Sequence, residues 1–199
     1  MVYVNRKTRD WLGRALVWVI VGAAAFAAFG LLQDCLCAPV AEAEEGESYE
    51  VTAAIRTLQP ATTPERAARL AGIFEGAGHE TRLDPLLLVA IAMRESSLRE
   101  DVLDGRVRGS RGEIGAMQIH GVALRFAPNG CDPLNDVSCN IRTGARFLAF
   151  IRETCNGSWF RWVSAYGRSR CPTEETARTD VTVIVALRYY TEAGGSLWR

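Results

Sequence analysis

Glu95 is the residue that type and position favour most for acid–base chemistry. It ends the most apolar helical segment of the chain and shares a predicted helical face with Leu88 and Ile91. Burial on that face and the negative end of the helix both disfavour a charged carboxyl group. A carboxylic acid that stays protonated near neutral pH can protonate a leaving oxygen. The alternative is an exposed helix-end glutamate paired with Arg94 or Arg99.

The elements that must position this glutamate are predicted to be short helices. Cap residues and apolar periodicity predict helices at residues 63–75, from 84 onward, at 116–126, at 138–154, from 158 onward and at 177–191. The first of these helices is expected to stop at Gly76-Ala77-Gly78. No segment alternates with period two for long enough to indicate a sheet, so the predicted fold class is mostly α.

Four segments follow one another in an order and spacing typical of one enzyme family. They are Asp84–Ser97, Gly112–Ile119, Asn140-Ile141 with Gly144, and Ala165-Tyr166-Gly167. They resemble, in that order, the helix with the catalytic Glu-Ser pair of the soluble lytic transglycosylases, their Gly turn followed by Met-Gln-Ile, the Asn-Ile and Gly that open their next long helix, and their Ala-Tyr-Asn-Gly motif. Each motif alone is a weak signal, but together they cover residues 62 to 170 in register.

This resemblance implies a lysozyme-like helical domain of the soluble lytic transglycosylase or goose-type kind. It implies cleavage of the β-1,4 bond between N-acetylmuramic acid and N-acetylglucosamine in peptidoglycan. Glu95 would protonate the glycosidic oxygen and then act as base on the muramoyl 6-hydroxyl, leaving a 1,6-anhydro end. The substrate's acetamido group can stabilise the cationic centre, so the usual second carboxylate is not required. No cofactor and no metal are expected, since the chain has no CxxC and its two histidines stand near no cysteine pair.

The resemblance also assigns the residues that should contact the substrate, together with one departure from the family pattern. Tyr166 and Gln118 are expected to orient Glu95 and the sugars. Gly167 replaces the usual Asn, so saccharide binding is expected to use Arg168 or Ser169 instead. The full set of expected substrate-binding residues is Ser96, Gly115, Met117, Gln118, Ile119, Tyr166 and Arg168.

Three alternatives remain open at this point. A hydrolytic goose-type lysozyme would need a second carboxylate, with Asp101, Asp104 or Glu113 as candidates. A membrane-tethered phage endolysin is the second. The third is a non-catalytic wall-binding component of an envelope-spanning secretion or conjugation machine, for which the altered Gly167 is the only support.

The N-terminal segment predicts export. Residues 15–32 carry no charge and are long enough to cross a bilayer as a helix, with four basic residues before them and six acidic residues in residues 34–50. Positive charge stays in the cytoplasm. We therefore expect residues 1–14 to be cytoplasmic, residues 15–32 to be a signal anchor or signal peptide, residues 33–60 to be an acidic tether, and residues 61–199 to be the catalytic domain. The domain would face the periplasm from the inner membrane, or be periplasmic or secreted if the signal is cleaved.

The cysteine content and the net charge limit the compartment and the partners that we expect. The chain has six cysteines, and local pairing predicts the disulfides Cys131–Cys139 and Cys155–Cys171, which persist in oxidising compartments. The formal net charge of zero argues against a nucleic-acid binder. The expected partners are peptidoglycan glycan strands, the membrane through the N-terminal helix and, as an open alternative, secretion, conjugation or lysis machinery.

Overall fold

A computed structural model describes residues 45–168 and 170–196. Within these residues the chain forms eight α-helices and one 3-10 helix, and its only β-type pairing is an isolated bridge between Ile114 and Ile119. The mostly α-helical fold class is therefore confirmed. The helices are α1 (Glu45–Leu58), α2 (Pro64–Thr81), α3 (Pro85–Ser96), α4 (Glu100–Leu103), the 3-10 helix Gly121–Phe126, α5 (Val137–Cys155), α6 (Trp159–Arg168), α7 (Glu174–Arg178) and α8 (Val181–Glu192).

Helix α3 is the centre of the hydrophobic core, as its composition predicts. All eight residues from Leu86 to Met93 are buried, and the helix packs against α1, α2 and α8. Asp84 starts the helix by accepting a hydrogen bond from the backbone N–H of Leu86 at 2.8 Å. Ser97 ends it in the left-handed conformation, with φ of 53°. Because a helix buried on all sides cannot shift easily, its last turn is a rigid support for Glu95.

Helix α1 corrects the predicted acidic tether of residues 33–60. The second half of that stretch is helical and belongs to the same compact unit as the rest of the described chain. Val51, Ala54 and Ile55 are buried against the core, and Leu58 packs beside them. These four positions repeat at i, i+3, i+4 and i+7, the spacing of one helical face. The acidic residues between them conceal this apolar stripe when the segment is judged by composition.

The predicted N-terminal membrane segment cannot be compared with the fold. Residues 1–14, the apolar stretch 15–32 and the first part of the expected tether lie outside the described residues. Among the helices of residues 45–168 and 170–196, none combines the length and apolar character that a membrane crossing requires. Membrane attachment therefore remains a prediction from the sequence.

Three of the predicted helices differ from those in the structure. Helix α2 continues through Gly76 and Gly78 to Thr81 and ends at Arg82, which is left-handed with φ of 55°. The predicted helix 116–126 is a turn followed by the 3-10 helix. The last predicted helix is two helices in the structure. Helix α7 ends at Arg178, and Asp180 caps the start of α8.

The two predicted disulfides are present. Cys131 and Cys139 have Cα atoms 5.7 Å apart, and Cys155 and Cys171 have Cα atoms 5.3 Å apart. The first bond closes the loop that leads into α5. The second ties the C-terminal end of α5 to the segment that follows α6. Both bonds therefore brace elements that also carry the candidate site.

Candidate active site

Glu95 lies in a cleft of about 200 Å³ that the end of α3 forms with three other parts of the domain. These are the segment from Arg111 to Ala123, helix α5 and the C-terminal end of α6. A larger groove of about 730 Å³ lies between the start of α2 and α4 but does not include Glu95. The residues that line the smaller cleft are Glu95, Arg111, Glu113, Gln118, Ile119, His120, Val122, Ala123, Phe147, Tyr166, Gly167 and Arg168.

The Glu95 side chain is 21% exposed and forms an ion pair with Arg94. The sequence left open whether Glu95 is an exposed residue paired with an arginine or a catalytic residue. In the structure, Glu95 both pairs with Arg94 and lines the cleft. Arg94 is 8% exposed, and its guanidinium carbon lies 6.0 Å from the centre of the Tyr166 ring. Arg94 thus reaches the carboxylate from beside the ring of Tyr166, which also lines the cleft.

Tyr166 packs under the cleft from α6. Its hydroxyl group donates a hydrogen bond to the backbone carbonyl of Met117 at 2.9 Å, and its ring packs against Phe147 with ring centres 5.5 Å apart. Burial raises the pKa of Tyr166 far above its usual range, and the nearby charge of Glu95 acts in the same direction. The hydroxyl group therefore remains a proton donor at any physiological pH, and it links α6 to the turn before the 3-10 helix.

The turn between Gly112 and Ile119 brings Gln118 to the cleft. Backbone hydrogen bonds in both directions, of 2.9 and 3.2 Å, join Ile114 and Ile119 and close the turn. Gly115 and Gln118 both have positive φ, at 74° and 47°. Glycine adopts this conformation readily, but a residue with a side chain rarely does. The Gln118 side chain donates to the Gly115 carbonyl at 2.9 Å, which stabilises the otherwise unfavourable geometry.

Asn140 holds this turn from helix α5. Its side-chain oxygen accepts a hydrogen bond from the backbone N–H of Met117 at 2.9 Å. Its side-chain nitrogen donates to the carbonyls of Ile114 and Pro133, both at 2.9 Å. A Cβ atom on Gly115 would lie 2.4 Å from that nitrogen. The glycine of the second motif and the asparagine of the third are therefore parts of one packed contact.

The predicted substrate-binding residues divide into two groups. Gln118, Ile119, Tyr166 and Arg168 line the cleft with Glu95. The other three do not line the cleft and support it from behind. The Ser96 hydroxyl donates to the carbonyl of Ala92 and accepts from the N–H of Leu98. The other two are Gly115, packed on Asn140, and Met117, which is fully buried.

Glu113 is the only one of the three candidate second carboxylates that shares the cleft with Glu95. It accepts hydrogen bonds from the backbone N–H and the Nε of Arg111, both at 2.8 Å. Backbone hydrogen bonds within this loop, together with the Arg111 side chain, hold the pKa of Glu113 below its usual range despite partial burial. Asp101 and Asp104 line no part of the cleft and form ion pairs with neighbouring arginines.

Asp180 contacts Arg168 at the edge of the cleft, a link that the sequence did not reveal. Arg168 donates from Nε to its Oδ2 at 2.7 Å, and Ser164 donates to the same oxygen. Thr182 donates to Oδ1 from both its backbone N–H and its hydroxyl group. Burial alone would raise the pKa of Asp180, but these donors outweigh it and hold the pKa well below its usual range. The available sequence signal was the helix cap of α8, which does not predict a link to the cleft.

Comparison with known families identifies the class of protein that this fold and cleft define. The family model described as the transglycosylase SLT domain matches residues 72–180. The match covers more than half of the chain, so the chain belongs to this family, within the lysozyme-like superfamily. The resemblance drawn from the four motifs is thereby confirmed. Comparisons with curated proteins and with solved structures give no match.

Proposed function

We propose that this chain is a peptidoglycan lytic transglycosylase in which Glu95 is the single acid and base. It cleaves the β-1,4 bond between N-acetylmuramic acid and N-acetylglucosamine and leaves a 1,6-anhydro-muramoyl end. Membership of the transglycosylase SLT family supports peptidoglycan as the substrate. The role of Glu95 and the anhydro product are inferred from the residues of the cleft.

The two carboxylates in the cleft differ in how many of their oxygens are held by hydrogen bonds, and this difference supports the proposal. Glu113 is held by Arg111 through hydrogen bonds to both of its oxygens, and its lowered pKa keeps it charged. A carboxylate fixed in this way is poorly suited to activating water across the sugar. Glu95 is also paired, but Arg94 contacts only its Oε1, and the side chain lies on a rigid helix end and is partly open to the cleft. This arrangement favours a mechanism with one catalytic carboxyl group over the two that hydrolysis uses.

In this mechanism, Glu95 acts twice at the same bond. Its protonated carboxyl group first donates the proton to the glycosidic oxygen, and the carbon–oxygen bond to the leaving N-acetylglucosamine breaks. The acetamido group of the muramoyl residue stabilises the positive charge that develops at C1. The Glu95 carboxylate then takes the proton of the 6-hydroxyl, whose oxygen bonds to C1 and closes the anhydro ring. Glu95 thus recovers its proton, and no water is consumed.

The same proposal places the domain outside the cytoplasm. The two disulfides in the described part of the chain are typical of oxidising compartments. The charge asymmetry around residues 15–32 indicates the same orientation. We propose an inner-membrane-anchored protein that faces the periplasm, or a periplasmic or secreted one if the signal is cleaved.

Replacement of Glu95 tests the proposal. The variant Glu95→Gln keeps the size of the side chain but removes the transferable proton, so we expect the release of soluble muropeptides from purified peptidoglycan to fall by at least about a hundredfold. The matched control is Glu100→Gln, the same change at an exposed ion pair with Arg66 outside the cleft. Since exposed ion pairs contribute little, its activity should stay within about twofold of the wild type. Activity that survives in Glu95→Gln would remove Glu95 from the mechanism.

A further inference from the structure

We propose that Arg168 forms a carboxylate-binding subsite at the edge of the cleft, so that this chain selects glycan strands with a free carboxylate beside the bond to be cleaved. The inference rests on the proposed function, because it names the substrate group that the same cleft recognises. It concerns the part of the cleft where the chain departs from its family.

The departure leaves room at the end of α6. Gly167 stands where the related motif has an asparagine, and it lines the cleft. A Cβ atom at this position would meet nothing within 4 Å. The polar amide that the motif normally supplies is therefore missing, and the space next to the Gly167 backbone is open. The next residue, Arg168, is charged and lines the same cleft.

Arg168 is fixed at one edge and open at the other. Its Nε donates to Asp180, while 42% of the side chain stays exposed and contributes to the cleft wall. Its two terminal nitrogens donate no hydrogen bond to any residue in the described part of the chain. A guanidinium group held in this way presents a planar pair of donors, the geometry that binds a carboxylate through two parallel hydrogen bonds.

The anchor for Arg168 is stronger than helix capping requires. Asp180 has no exposed side-chain surface, and its two oxygens receive four hydrogen bonds, from Arg168, Ser164 and Thr182. A capping aspartate needs only the donors from the start of its own helix, which Thr182 provides. The contacts from Ser164 and Arg168 come from α6. They fix the direction of the Arg168 side chain, because a buried carboxylate cannot move away from its donors without losing them.

Peptidoglycan offers a carboxylate from two sources. Where the stem peptide has been removed, the lactyl group of N-acetylmuramic acid ends in a free carboxylate. Where the stem is present, the lactyl group is consumed in an amide and the carboxylates belong to the peptide. Both present the same chemistry to Arg168, and matched ligands separate them.

Ligand binding to Glu95→Gln, which should bind without turnover, tests the subsite. Three tetrasaccharides of alternating N-acetylglucosamine and N-acetylmuramic acid are compared by calorimetry. One has free lactyl carboxylates, one has neutral lactyl carboxamides, and one carries L-alanyl-D-glutamate stems. Adding Arg168→Gln should weaken binding of at least one acidic ligand by about tenfold, as expected for the loss of a charge-assisted pair of hydrogen bonds, and leave the neutral ligand within about twofold. The acidic ligand that loses affinity identifies the source.

The control is Arg188→Gln on the same background. Arg188 donates from Nε to Glu192 at 2.7 Å, the same type of contact, but it lies on the exposed side of α8 outside the cleft. Its removal lowers the net charge equally and should change no affinity. A second measurement needs no Arg168 variant. Added salt should weaken the binding of the acidic ligand to Glu95→Gln more than that of the neutral ligand.

The binding results distinguish a failure of the Arg168 subsite from a failure of the proposed function. Equal loss for acidic and neutral ligands, or no loss for any ligand, would overturn the carboxylate subsite, as would identical salt dependence. If Glu95→Gln bound none of the three tetrasaccharides while remaining folded, the proposed function itself would fail rather than the subsite alone.

Discussion

Asn140 shows how much of the site depends on a residue that never touches the cleft. It is almost fully buried and makes three hydrogen bonds, two of them to the turn that carries Gln118. The motif resemblance pointed to this residue, but only the structure explains why its amide is needed. One end of the side chain must accept and the other must donate.

The variant Asn140→Asp tests this requirement at constant side-chain size. The new oxygen would face the carbonyls of Ile114 and Pro133 in place of a donor. We expect the free energy of unfolding to fall by about 3 kcal/mol or more. Two buried carbonyls lose their donor, and they then face a buried carboxylate. Chemical denaturation measures the change. The control is Asn129→Asp, the same substitution at an exposed position. A loss of equal size in the control would contradict the account.

The residues that motifs could identify differ from those that they could not. Glu95, Gln118 and Tyr166 follow from the resemblance, and the structure brings all three to one cleft. Asp180 does not, because its local pattern already has a sufficient explanation as a helix cap. Its contact with Arg168 joins two helices, and such a contact has no signature in the sequence of either one.

At the scale of elements, the glycines explain the wrongly predicted end of α2. Gly76 and Gly78 were expected to end α2, but the helix runs through both. Gly78 is required by close packing, because a Cβ atom there would lie 2.8 Å from the carbonyl oxygen of Leu83. Gly144 is likewise a packing glycine, since its Cβ atom would lie 2.6 Å from that of Met117. A glycine in a sequence does not indicate whether it ends a helix or admits a neighbour.

A pair of identical substitutions separates the two roles of helical glycine. Gly76→Ala places a methyl group in open space. We therefore expect it to raise the free energy of unfolding by about 0.5–1 kcal/mol relative to the wild type. Gly144→Ala forces α5 away from Met117 and should destabilise the protein by about 1–3 kcal/mol. It should also reduce activity, because Met117 carries the carbonyl that Tyr166 binds. Equal effects of the two variants on stability would contradict the packing role of Gly144.

At the scale of the whole molecule, fold class and disulfide pairing could be predicted, but the start of the domain could not. The helical fold follows from apolar periodicity and caps, and the cysteine pairs follow from their local spacing. The domain begins earlier than expected because α1 buries an apolar stripe within an acidic segment. Composition averages over a segment, whereas burial depends on which face each residue occupies.

In the proposed mechanism, one carboxyl group, Glu95, cleaves the strand without water as a reactant. Digestion of peptidoglycan in water enriched in heavy oxygen, followed by mass spectrometry of the products, tests it directly. We predict muramoyl ends that are one water lighter than reducing ends and carry no heavy oxygen, because the 6-hydroxyl of the same sugar closes on C1. Reducing ends that contain heavy oxygen would contradict the account and assign the cleft to a hydrolase, with Glu113 as the remaining carboxylate.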